Sequence, residues 1–173
     1  MYTVSQYIDA EQDGKEAVLF CGIQASGKTS FYVERFLRTH VRISMDMLHT
    51  RNKEHQLLQL CLSMQQRFVV DNTNPTIKER QKYIKAARLH QFSVIGYYFH
   101  TDVAAAIVRN AGRTGKEHIP IPGIMGTFKK LEPPRYEEGF DVLYRVEITP
   151  AGFRVMAVHR ERQDPLGSSP FNE

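Results

Sequence analysis

The stretch Ala17-Val18-Leu19-Phe20-Cys21-Gly22-Ile23-Gln24-Ala25-Ser26-Gly27-Lys28-Thr29 decides how this chain is read. Five uninterrupted apolar residues describe a short strand buried on both faces, and Gly22 ends it. From Gly27 to Arg38 the spacing becomes helical, with Phe31, Phe36 and Leu37 as inward candidates. Between strand and helix, residues 22–29 fit the Walker A pattern: a glycine, four residues, then Gly-Lys-Thr. A strand, a glycine-bounded turn and a helix in that order aim backbone N–H groups and the positive end of a helix dipole at one point, which suits phosphate oxygens. Gly22, Gln24, Ala25, Ser26, Gly27, Lys28, Thr29 and Ser30 are therefore the candidate nucleotide-binding residues. Lys28 is expected to reach the β- and γ-phosphates of ATP, and the Thr29 hydroxyl to ligate Mg²⁺.

Outward from this loop, strand-like and helix-like segments alternate, the pattern of a parallel sheet wrapped by helices. Val41 to Met45 reads as a second strand ending at Asp46, and a helix from about Lys53 to Gln66 places Leu57, Leu60, Cys61 and Met64 on one face. Phe68-Val69-Val70 is a third strand ending at Asp71. A helix then runs to about His90, with Asn74 as its cap and Pro75 in its first turn. Phe92 to Phe99 is a fourth strand, and Ala104 to Arg109 is helical. Residues 112–126 form a loop or lid, and Phe140 to Ile148 with Phe153 to His159 close the sheet as a strand pair. The fold class expected is α/β, a three-layer P-loop kinase-type sandwich with a mostly parallel central sheet and a helical lid. One kinase domain covers residues 17–160, with the lid at about 109–126, an N-terminal extension at 1–16 and a disordered tail at 161–173.

At 173 residues the chain suffices for one ordinary domain with a single core. No apolar run approaches the roughly 20 residues of a membrane helix, and residues 1–15 carry no apolar signal segment, so a cytoplasmic protein is expected. Lys and Arg outnumber Asp and Glu by 23 to 19, and the resulting +4 charge permits a phosphate-bearing partner without requiring one. Cys21 and Cys61 sit in apolar segments without CxxC spacing and read as buried free thiols.

A phosphate grip serves GTPases, motor ATPases and kinases alike. No guanine-reading Asn-Lys-x-Asp segment occurs, and the length leaves no room for the second subdomain of a large AAA-type motor, which favours a small kinase. Such an enzyme needs a base for the acceptor hydroxyl. Carboxyl ends of parallel strands share one rim, so Asp46 is the candidate base and Asp71 the candidate second Mg²⁺ carboxylate. Arg109 and Arg113, four apart on a helix entering the lid with Lys116 behind them, are candidates for neutralising the transferred phosphoryl group. Lys78, Arg80, Lys82, Lys85 and Arg88 could follow a nucleic-acid backbone, or equally form a solvated helix face. Tyr97, Tyr98 and Phe99 read as core rather than a stacking platform.

Together the Walker A loop, Asp71-Asn72-Thr73-Asn74-Pro75, His118-Ile119-Pro120, and Leu131-Glu132-Pro133-Pro134 leading to Glu138-Gly139-Phe140 resemble the kinase domain of the 5′-polynucleotide kinases, over about residues 18–148. The resemblance implies ATP and Mg²⁺ at Lys28 and Thr29, an acceptor-activating carboxylate at Asp46, an arginine-bearing lid at residues 109–116, and a nucleic-acid 5′-hydroxyl end as acceptor. The family commonly has Arg where this chain has Met45, and some members place an acceptor-phosphate Arg where it has His49. Both departures bear on the acceptor rather than on the kinase chemistry. The Asp-x-Asp motif of a haloacid-type phosphatase is absent, and no length remains for a ligase. Two other readings stay open: a P-loop kinase for a small hydroxylated acceptor such as a nucleoside, sugar or antibiotic, and a non-catalytic nucleotide-binding partner protein.

Overall fold

A computed structural model describes residues 14–160. The expectations for most of the N-terminal extension and for the tail fall on residues 1–13 and 161–173, outside the described residues. The sequence alternates β1 (Glu16–Cys21), α1 (Lys28–Arg35), β2 (Val41–Ile43), α2 (Met45–Leu48), α3 (Arg51–Ser63), β3 (Phe68–Val70), α4 (Ile77–Leu89), β4 (Ser93–Phe99), α5 (Val103–Ala111), α6 (Ile121–Lys130), β5 (Val142–Thr149) and β6 (Gly152–Ala157). The strands form one sheet in the order β2-β3-β1-β4-β5-β6, parallel except for the antiparallel β5–β6 pair.

β1 shows why a continuous apolar run was needed. Its side chains alternate: Ala17 and Leu19 join the core with Leu58, Cys61, Tyr83 and Ile84 of α3 and α4, whereas Val18 and Phe20 join Phe31, Tyr32 and Phe36 of α1 and its C-terminal end. With helices on both faces, every position from Ala17 to Cys21 is buried, and only Glu16 at the start of the strand is partly exposed. Tyr97 packs among the same aromatics and stacks on Tyr144 at 5.0 Å, and Phe99 is buried, so these two residues are core as expected. Both cysteines are buried and free.

The structure departs from the sequence reading at several positions. Leu37, Leu60 and Met64 are exposed, because α1 ends at Arg35 and α3 turns Glu54, Leu58, Cys61 and Leu62 inward instead. β2 stops at Ile43, so Asp46 sits on the short helix α2 rather than at a strand end. Thr76, not Asn74, caps α4, in a capping box with Glu79. Asn74 is buried with φ 44° and donates from Nδ2 to the Phe20 carbonyl at 2.8 Å. Residues 112–126 are not an open loop, since a 3-10 turn (Gly115–Glu117) leads into α6. Buried Asn110 staples that turn to α5: Nδ2 donates to the Ile119 carbonyl at 2.7 Å and Oδ1 accepts from its N–H at 3.0 Å. Among the described residues no helix is long and apolar enough to cross a membrane.

Candidate active site

In the order β2-β3-β1-β4 the chain moves to one side of β1 and then crosses to the other, so the loop after β1 opens at the switch point of the sheet, where α/β folds take ligands. Gly22 is required there by a close approach: a Cβ on it would stand 2.9 Å from both the Cβ and the carbonyl oxygen of Phe99. Gly27 adopts φ 90° at the N-cap of α1, a left-handed conformation that favours glycine.

Lys28 folds back into this loop. Its Nζ donates to the carbonyls of Gly22 at 3.0 Å and Ile23 at 2.5 Å, and lies 3.2 Å from Ser26 Oγ. Burial lowers its pKa to about 8; Asp71, Cys21 and Asp46 act to raise it and Arg113 to lower it further. Thr29 Oγ1 donates to Asp71 Oδ2 at 3.0 Å. Asp71, 5% exposed just after β3, is therefore beside the loop. Asp46 is exposed on α2, with its charge felt at Lys28. Arg109 Nε donates to the Ala25 carbonyl at 2.8 Å, while its buried Nη2 has no partner. Half-buried Arg113 acts electrostatically on both Arg109 and Lys28. The Lys116 side chain lies outside the described residues. Gln24 donates from Nε2 to Thr127 Oγ1 of α6 at 2.9 Å and leaves Oε1 buried without a partner, and Ser30 is exposed on α1.

Arg42 is the participant that sequence reasoning missed. Its Nε and Nη2 lie 2.8 and 2.6 Å from Asp71 Oδ2, Nη2 donates to Thr29 Oγ1 at 3.1 Å, and the guanidinium lies over the Tyr32 ring. The signal available was a charged residue in the middle of the apolar strand Val41-Arg42-Ile43. The nucleic-acid reading of α4 is curtailed. Arg80 is fully buried in an ion pair with Glu138, Lys82 pairs with Glu54 and Arg88 with Asp141, leaving Lys78 and Lys85 as exposed cations without an ion pair among the described residues.

The residues fit a nucleotide and a hard cation. A hydroxyl and a carboxylate oxygen 3.0 Å apart at the edge of a phosphate loop match Mg²⁺, which takes one or two protein oxygens and completes its shell with phosphate and water. Among the described residues no cluster of three or more His, Cys, Asp or Glu suited to a metal occurs.

The lowered Lys28 pKa has two consequences. Between about 8 and the ordinary 10.5 the folded chain holds fewer protons than the unfolded chain, so the cost of burying this lysine is full below about pH 8 and fades as pH rises to 10.5. Phosphate oxygens would restore the charged form. Binding of ADP is therefore expected to take up protons at about pH 8.5, where its own phosphates are already ionised, read by calorimetry in buffers of differing ionisation heat. Heats independent of buffer at the higher pH would contradict the assignment of Lys28.

Residues 48–132 match the family model described as AAA domain, a segment that starts downstream of the phosphate loop. The bifunctional polynucleotide phosphatase/kinase of Schizosaccharomyces pombe is 24% identical over 134 residues, covering 75% of this chain but only 33% of that protein, so the chain spans about a third of the relative's length. Among solved structures, a gluconokinase from Sinorhizobium meliloti superposes with TM-score 0.55 at 18% identity, over 79% of this chain and 84% of that one. Kti12 of Chaetomium thermophilum, solved with ADP-AlF3, gives 0.58 at 16% identity over 79% and 92%. A chain of the PezAT toxin-antitoxin system of Streptococcus pneumoniae gives 0.62 at 12% identity over 97% and 86%. The chain thus shares the α/β fold of these solved structures, a six-stranded and mostly parallel sheet wrapped by helices, and has a distant sequence relative in a polynucleotide phosphatase/kinase.

Proposed function

We propose that this protein is an ATP- and Mg²⁺-dependent phosphotransferase whose acceptor is the 5′-hydroxyl end of a nucleic acid. The observation that carries the kinase half is the convergence on one loop of Lys28, Thr29, Asp71 and Arg109 of α5, with Arg113, beyond the end of that helix, and the exposed Asp46 acting on Lys28 electrostatically. The acceptor half draws on the sequence likeness to a polynucleotide phosphatase/kinase.

In this reading Asp46 takes the proton of the acceptor hydroxyl as its oxygen bonds to the γ-phosphorus and the bond to the ADP oxygen breaks. Lys28 leaves its loop carbonyls to hold the phosphates, and Arg109 and Arg113 face the charge that develops during transfer. Thr29 and Asp71 would hold Mg²⁺, which when bound neutralises phosphate charge. Arg42, which shares Asp71 Oδ2, keeps that carboxylate compensated.

A kinase for a small hydroxylated acceptor is the second reading, favoured by the burial of Arg80 in its ion pair with Glu138 and by Met45 and His49 at positions where polynucleotide kinases commonly carry arginine. Salt separates the two. With γ-labelled ATP, a 5′-hydroxyl oligonucleotide is expected to be labelled with a kcat/KM that falls steeply as ionic strength rises, because bound phosphates release counterions. Labelling of a small alcohol alone, without a salt slope, would replace the polynucleotide reading. Failure to label any hydroxyl while ADP still binds would leave a non-catalytic nucleotide-binding protein.

A further inference from the structure

Asp71 and Asn72 are the first two residues after β3, and their side chains meet different partners. Asp71 meets Thr29 and Arg42 at the phosphate loop. Asn72 meets a buried polar cluster between α3 and α4 that the catalytic reading does not use. At its centre lies Glu54, whose side chain is 3% exposed. Its Oε1 accepts from Tyr83 OH at 2.6 Å and from Asn72 Nδ2 at 2.7 Å, while Arg51 Nη1 and Lys82 Nζ reach Oε2 at 2.9 and 3.1 Å. Burial alone would raise the Glu54 pKa, and these donors hold it below the usual carboxylate range instead. Burial and the neighbouring Glu54 carboxylate push the Tyr83 phenol well up.

An ionised carboxylate only accepts, so the Asn72 amide has one orientation: NH₂ toward Glu54, oxygen away. That oxygen accepts the backbone N–H of Met45 at 2.9 Å. Met45 N–H is the first donor of α2, one of the groups a helix leaves without an internal partner. Ser44 precedes it in the capping position, yet Ser44 Oγ caps nothing and is buried without a partner. The cap comes from Asn72, 27 residues away, and the next residue of the helix is Asp46.

We propose that Asn72 is a positioning residue which, held by Glu54 and Tyr83, caps Met45 and thereby fixes α2 and the Asp46 carboxylate relative to Asp71. The inference rests on Asp46 acting as the base. Through the pair 71–72, one strand end sets both the donor side and the acceptor side of the cleft.

The test uses the full chain. Asn72→Ala should speed hydrogen exchange at the Met45 amide at least about tenfold, since exchange follows local opening. It should lower kcat for a 5′-hydroxyl oligonucleotide by about 10²-fold, the cost of an ångström-scale misplacement, with ADP affinity within about twofold of wild type. ADP binding by Asn72→Ala, measured on the same preparation, guards against a variant that merely fails to fold, because an unfolded chain holds no nucleotide. Unchanged Met45 exchange in Asn72→Ala, or unchanged kcat in that variant while Asp46→Asn is inactive, overturns the proposal. A fully active Asp46→Asn removes the base reading and the positioning role with it, and Met45 exchange then reports a cap that serves the fold alone.

Discussion

Asp46→Asn is expected to lower kcat by about 10²- to 10⁴-fold with any acceptor, the range that general-base catalysis supplies, while ADP affinity stays within about twofold. An amide keeps the size of the carboxylate but cannot take a proton. The change should cost almost nothing in stability, because among the described residues Asp46 is exposed and engages in no hydrogen bond or ion pair. Surface changes of this kind stay within about 0.5 kcal/mol. Such a pattern separates a group poised for chemistry from one that holds the fold. Single-turnover labelling, with ADP binding and thermal unfolding measured on the same preparations, checks all three parts. Wild-type turnover in the variant would exclude Asp46 as the base.

The largest effect on stability is expected from Glu138→Ala, at about 3–5 kcal/mol in chemical denaturation, the cost of leaving one member of a buried ion pair uncompensated. Arg80 is fully buried, and its Nε and Nη2 lie 2.7 and 2.8 Å from the two Glu138 oxygens. Its remaining donor, Nη1, reaches the carbonyls of Asn74 at 3.0 Å and Pro75 at 3.2 Å. The guanidinium therefore anchors the 71–75 segment, and that segment in turn meets the phosphate loop where Gly22 N–H donates to the Thr73 carbonyl at 2.9 Å. Weaker ADP binding should accompany the loss of stability. A cost under about 1 kcal/mol, the size of an exposed ion pair, would contradict the burial of this pair.

Much of this architecture was legible in the sequence because it depends on local patterns. The strand at 17–21, the loop at 22–29 and the third strand at 68–70 each declare themselves by apolar runs and glycine placement, and Asp71 follows from being the carboxylate that ends a strand. Errors arose where a residue's role depends on distant contacts. Leu60 and Met64 have helical spacing, yet α3 turns a carboxylate inward because Arg51, Lys82, Tyr83 and Asn72 are there to receive it. Arg80 looks like a surface cation until Glu138, 58 residues on, is brought beside it. Arg42 gains meaning only when β2 is laid next to β3 and its guanidinium reaches Asp71.

The sequence by itself determined the α/β layering and the phosphate loop, since hydrophobic period and turn chemistry act over a few residues and need no partner elsewhere in the chain. The tertiary structure alone decided which polar side chains are buried and what they satisfy: Glu54 and Asn72 behind the candidate base, Arg80 behind the loop, Arg42 on Asp71. A buried polar group is tolerated only where partners from other elements complete its hydrogen bonds, and that complement exists only once the chain has folded.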